Sequence, residues 1–200
     1  QMLRRIEALL RDRMGKPDAV LSDYFDLIGG TSTGAIIASA LSLGWTVERI
    51  DGVYRAFGND IFRSSFFRKG LLHPKFSAKA IREGLEDNFG DIRLGGPELK
   101  TGLAVIAKRM DTASPWILHY NPRGKFYDVT HDEGVIPNKD YLLRDVVRAS
   151  AAAPTFFEPE MIRVTDDVEG AFVDGGVSPY NNPSLQLLML ATLGGHGLNW

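Results

Sequence analysis

The sequence predicts an α/β layered domain, a mostly parallel central sheet with helices on both faces, on three observations. Short apolar runs alternate with helical stretches along the chain. Thr101 to Ala107 is nearly unbroken apolar sequence through Leu103, Ala104, Val105, Ile106 and Ala107, which suits a strand covered on both faces. A third run, Tyr24 to Ile28, ends at Gly29-Gly30 and opens almost at once into a helix, a strand-turn-helix step that puts chemistry at a strand's carboxyl end.

Taken in order, Gln1 to Arg11 reads as an amphipathic helix with Leu3, Ile6, Leu9 and Leu10 on one face. The helix is already under way at Gln1 without an initiator Met, so the expectation is a chain whose natural start lies upstream. Gly15-Lys16-Pro17-Asp18 breaks it, and Tyr24 to Ile28 follows as a strand. Gly34 to Leu43 is a helix stopped by Gly44. Thr46 caps the next helix, carrying Val47, Ile50, Val53, Tyr54 and Phe57, and Ser77 caps another with Ile81 and Leu85. Trp116-Ile117-Leu118 reads as a neighbour of the Thr101 strand. Asn121 to Lys139 is mainly loop, with Lys125 to Val129 as a short strand. Tyr141 to Ala149 returns to helix, and Ala171-Phe172-Val173 is a strand delivering Asp174-Gly175-Gly176. Pro183 opens a last helix through Leu185, Leu188, Met189 and Leu193.

Composition narrows the chemistry. A net charge of −2 offers no overall basic field for phosphates, so nucleic acid is not an expected partner. With no cysteine there is no disulfide, thiolate zinc site, Fe–S cluster or cysteine nucleophile. His73, His119, His131 and His196 lack any close ligand spacing, so no metal or other cofactor is expected. Gly34 to Trp45, the most apolar stretch near the start, is far short of the roughly 20 residues of a bilayer span.

Gly30-Thr31-Ser32-Thr33-Gly34 is a G-x-S-x-G string in the strand-to-helix setting of a nucleophile elbow, where small flanking residues let the chain double back and project Ser32 Oγ. Thr33 N–H, at the head of the following helix, is placed to hold an oxyanion. The same string also suits a plain turn in which Ser32 caps the helix. A phosphate cradle is excluded by Ala35-Ile36 where a lysine should follow. A serine needs a base. His196 is one candidate, because the order Ser32, Asp174, His196 is that of α/β-hydrolases, yet Gly194-Gly195-His196-Gly197 also reads as a helix-ending loop. Asp174 is the stronger one: it ends a strand, and Gly175 and Gly176 support a turn that approaches another strand end closely, although Asp-Gly is also an ordinary turn pair.

Three segments, Asp26-Leu27-Ile28-Gly29-Gly30-Thr31-Ser32-Thr33-Gly34, Arg148-Ala149-Ser150-Ala151-Ala152-Ala153-Pro154-Thr155-Phe156-Phe157, and Phe172-Val173-Asp174-Gly175-Gly176 with Asn181-Asn182-Pro183, resemble the patatin-like phospholipase family in order and spacing. The similarity runs through nearly the whole chain. It implies a three-layer α/β/α sandwich and calcium-independent hydrolysis of fatty-acyl esters by a dyad of Ser32 as nucleophile and Asp174 as general base, without a catalytic histidine. Phospholipid or another acyl lipid is then the partner, and the location is cytoplasmic or at a membrane surface. The family also carries a D-G-G-G-x-[RK]-G oxyanion loop, of which residues 1–25 hold nothing. The expectation is a single domain over 1–200, incompletely represented at both ends. A lipid-binding pseudo-enzyme without that loop is the other reading, as is a histidine-assisted esterase. Asn59 to Leu72 mixes Phe62, Phe66 and Phe67 with Arg63, Arg68 and Lys69; it reads first as aromatic core filling and second as a peripheral membrane contact. Oligomeric state is not legible in the sequence.

Overall fold

The computed structural model describes residues 1–66, 75–124, 126–129 and 134–193, the side chains of 57–66, 75–78 and 80 excepted. Its elements are α1 (Met2–Met14), β1 (Leu27–Thr31), α2 (Thr33–Ser42), α3 (Val47–Phe66), α4 (Lys75–Phe89), β2 (Gly102–Arg109), β3 (Pro115–Tyr120), α5 (Leu143–Ser150), β4 (Glu160–Arg163), β5 (Glu169–Asp174) and α6 (Ser184–Thr192). Among the described residues no helix is long and apolar enough to cross a membrane.

β2 is the middle of the sheet. Its residues 103–108 pair with β3 on one edge, while the other edge is shared: β1 pairs with 102–106 and β5 continues with 107–109. β4 then flanks β5. Helices cover both faces. Leu103, Val105 and Ala107 join α2 through Ala35 and Ala38, and α5 through Leu143, Val146 and Val147, in one buried core. On the opposite face α6 comes so close that a Cβ on Gly29 would lie 2.5 Å from Leu187 Cδ2.

The α/β architecture is as the sequence predicts, but the sheet is mixed rather than mostly parallel. Among the described residues β1–β2 is the one parallel pairing, and β2–β3, β2–β5 and β4–β5 are antiparallel. For β2–β3 and β4–β5 the cause is a tight turn: β2 reaches β3 through residues 110–114, and β4 reaches β5 through 164–168, connections too short for a parallel crossover. The apolar run of β2 reflects its two covers of helix, which burial imposes whatever the sense of the neighbours.

Several element limits also move. β1 begins at Leu27 and runs through the glycines to Thr31, because those glycines present flat backbone to α6 and to the turn. α4 already begins at Lys75, so Ser77 lies inside its first turn, whereas Thr46 does cap α3, its Oγ1 accepting from Arg49 N–H at 3.2 Å. Residues 126–129 are not strand; Lys125 lies outside the described residues, as do 67–72 of the aromatic segment. On α1, Leu9 is exposed and Glu7 is buried in its place, its carboxylate accepting Val47 N–H at 3.0 Å and pairing with Arg11 at 3.3 Å. α6 is apolar except for Ser184, Gln186 and Thr192, and it is Gln186, Leu190 and Ala191 that are buried while Leu185, Leu188, Met189 and the following Leu193 face outward.

Candidate active site

A strand ending at Thr31 and a helix beginning at Thr33 leave Ser32 alone to turn the chain. It does so at φ 58°, ψ −130°, a left-handed φ unusual for a side-chain-bearing residue and one that its surroundings must hold. The turn is tight enough that a Cβ on Gly30 would sit 2.1 Å from Gly34 O. Gly34 itself is different, since a Cβ there would meet nothing within 4 Å. The side chain of Thr33 is exposed, and the N–H groups of Thr33 and Gly34 lie in the first turn of α2, where no intrahelical acceptor exists and the helix dipole favours negative charge.

Asp174 arrives from the other direction. β1 runs parallel to β2 and β5 antiparallel to it, so the two strands travel head-on along the same edge of β2 and their carboxyl ends meet. Consecutive residues of β2 mark the junction: Ile106 faces Thr31 and Ala107 faces Asp174. A separation of 142 residues in sequence thus closes to a hydrogen bond, Ser32 Oγ donating to Asp174 Oδ2 at 2.5 Å. Asp174 is only 6% exposed; its other carboxylate oxygen accepts Gly176 N–H at 2.7 Å, and its backbone N–H donates to Ala152 O at 2.9 Å. Gly175 is required by contact, because a Cβ there would stand 2.3 Å from Ile106 O and 2.9 Å from Thr31 Cγ2. Gly176 is less constrained, with Asp174 Oδ1 at 3.0 Å from the corresponding point. Thr31 is buried and its Oγ1–H donates to Tyr180 O at 3.0 Å, tying the end of β1 to the loop beyond Asp174.

The structure therefore brings Ser32 and Asp174 into contact and gathers Gly30, Thr31, Thr33, Gly175 and Gly176 around them. Gly34 is at the turn without a steric need to be glycine. His196 lies outside the described residues, with His73 and His131; His119 is buried on β3, across β2 from both partners. Among the described residues no three His, Asp or Glu side chains converge as a metal site.

Sequence reasoning assigned no part to Ser150, which ends α5. It is fully buried, accepts Ser32 N–H at 2.9 Å and donates to Ile106 O at 2.6 Å. The signal was its place in the Arg148 to Phe157 run; nothing in the run itself says which chain segments its hydroxyl would join.

The model of the family "Patatin-like phospholipase" matches residues 3–188. Patatin-T5 of Solanum tuberosum is 29% identical over 96% of this chain and 48% of its own length, and Patatin group J-1 of the same plant is 30% identical over 96% and 49%. A cGAMP-activated phospholipase of Escherichia coli (strain TW11681) is 29% identical over 92% of this chain and 49% of its own. The chain spans about half the length of these curated relatives. With the match covering nearly every residue, and the strand, elbow and aspartate in the expected order, the chain belongs to the patatin-like phospholipase family.

Proposed function

We propose that this chain carries a lipid acyl hydrolase site in which Ser32 is the nucleophile and Asp174 the general base. The observation that carries the reading is the 2.5 Å hydrogen bond from a serine held at positive φ to a buried carboxylate. A hydroxyl is a weak nucleophile until its proton is taken as the new bond forms, and Asp174 Oδ2 already receives that hydrogen bond. As Ser32 Oγ attacks an ester carbonyl, its proton moves to Asp174 and the carbonyl oxygen becomes an oxyanion. The N–H groups of Thr33 and Gly34 and the amino end of α2 favour that charge. Collapse breaks the ester C–O bond, the leaving alcohol takes the proton from Asp174, and the acyl group stays on Ser32. Water then gives a proton to Asp174 and attacks the acyl carbon; the free fatty acid departs as Ser32 regains its proton.

A carboxylate is a modest base, so the mechanism asks for a dry, pre-aligned contact and strong oxyanion binding. The low exposure of Asp174 supports the first of these. The family description and the name of the bacterial relative both carry the word phospholipase, which supports a phospholipid or related acyl lipid as substrate, met at a membrane or micelle surface.

The test is fatty-acid release from phospholipid vesicles, together with labelling by a fluorophosphonate, for the full-length protein and its Ser32→Ala and Asp174→Asn variants. Each substitution should lower turnover roughly a thousandfold or more, because the pair acts as a unit. Parent-like turnover in Ser32→Ala refutes the reading. Loss of turnover in His196→Ala with Asp174→Asn still active would move the base to the histidine.

A further inference from the structure

We propose that Ser150 is a positioning residue that sets the strained turn at Ser32, an inference that rests on Ser32 being the nucleophile. Thr31 and Ile106 are the last paired residues of β1 and β2. One residue further on, Ser32 N–H reaches Ser150 Oγ at 2.9 Å and the same hydroxyl donates to Ile106 O at 2.6 Å. A single side-chain oxygen is thus inserted where a direct backbone rung would otherwise join Ser32 to Ile106. The insertion carries the ladder one step further at a wider spacing. β1 can therefore leave β2 at Ser32, adopt its left-handed φ and still have no orphaned N–H.

Three features make Ser150 suited to the task. It is 0% exposed, so its hydroxyl has no water to exchange with. It ends α5, whose Leu143, Val146, Val147 and Ala149 are equally buried, so the oxygen is held by a rigid element. Two residues on, Ala152 O accepts the N–H of Asp174 at 2.9 Å. The end of α5 therefore grips the nucleophile's backbone with a side chain and the base's backbone with a carbonyl. Their 2.5 Å contact depends on both grips, through α5 as a common support.

Ser150→Ala removes only the oxygen. Ile106 C=O and Ser32 N–H then lose their shared partner, and the simplest relief is for the strand end to close onto β2, turning Ser32 Oγ away from Asp174. Full-length Ser150→Ala is expected to keep the parent KM for an acyl ester while kcat falls roughly 10- to 100-fold, the cost of a small misplacement of a reacting group. The rate of fluorophosphonate labelling should fall by the same factor. Ser39→Ala serves as the structural control, since Ser39 is also 0% exposed but its hydroxyl has no hydrogen-bond partner among the described residues; it should label at the parent rate. Should Ser150→Ala not fold, Ser150→Cys keeps a side chain of similar size with weaker hydrogen bonds, and a several-fold loss of kcat is expected. A parent-level kcat in either folded Ser150 variant, a change confined to KM, or unchanged labelling overturns the proposal. Inactive Ser32→Ala with parent-like Ser150→Ala would defeat this inference alone, whereas active Ser32→Ala would defeat the reading on which it stands.

Discussion

Gly30→Ala and Gly34→Ala make the same chemical change at the two ends of one short motif, and the structure gives them opposite outcomes. A methyl on Gly30 would lie 2.1 Å from Gly34 O, 2.3 Å from Gly34 C and 2.7 Å from Ala35 N. All three are backbone atoms of the first turn of α2, so no side-chain rotation relieves the contact, and the turn must open by about 1 Å to restore ordinary packing. Overpacking of this kind costs about 2–3 kcal/mol. For a domain of this size each kcal/mol lowers the melting temperature by about 2–4 °C, so a fall of about 4–12 °C is expected. A methyl on Gly34 meets nothing within 4 Å, and φ there is not in the left-handed region. Replacing a helical glycine by alanine gains up to about 1 kcal/mol, so the melting temperature of Gly34→Ala should be unchanged or slightly raised. Thermal melts followed by circular dichroism give both numbers. The reasoning fails if Gly30→Ala melts within about 2 °C of the parent, or if Gly34→Ala falls as far as Gly30→Ala.

Two further outcomes follow from side chains away from the dyad. Glu7→Ala should cost about 2 kcal/mol in denaturant unfolding, because it strips the acceptor from the Val47 N–H that begins α3 and leaves Arg11 only its hydrogen bond to Ala19 O; Glu7→Gln, which keeps an acceptor, should recover much of the loss. Burial, and then the negative charge of Glu160, hold the Asp145 carboxyl above its ordinary 3.8. A raised acid favours the folded state while it is protonated, below about pH 3.8, and that contribution is lost as pH rises through the folded value. Asp145→Asn should therefore gain on the parent as pH rises above about 3.8 in urea titrations, by a small amount because the side chain is 41% exposed. A difference that shrinks with rising pH would contradict the assignment.

Much of the site was legible one segment at a time. The helices at Gly34 to Leu43 and Tyr141 to Ala149 and the strands around Leu103 and Phe172 announce themselves through periodicity, burial pattern and breakers, all local properties of side chains on a backbone. Ser32 and Asp174 stood out because each sits where a strand runs into small residues, and only small residues permit the chain to turn that sharply. What no local signal carries is the direction of a strand relative to its neighbour. The apolar faces of β2 look the same to a parallel or an antiparallel partner, and the sheet proved mixed.

The amino-acid order by itself determined that an elbow serine and an aspartate at a strand end exist in this chain, because turn chemistry and helix capping act within a few residues. Only the folded chain decided that β1 and β5 meet head-on along one edge of β2, and that the Ser150 hydroxyl fills the gap where β1 leaves it. Such contacts join residues from 44 to 118 positions apart, and they form only when packing against α2, α5 and α6 has chosen one register from many.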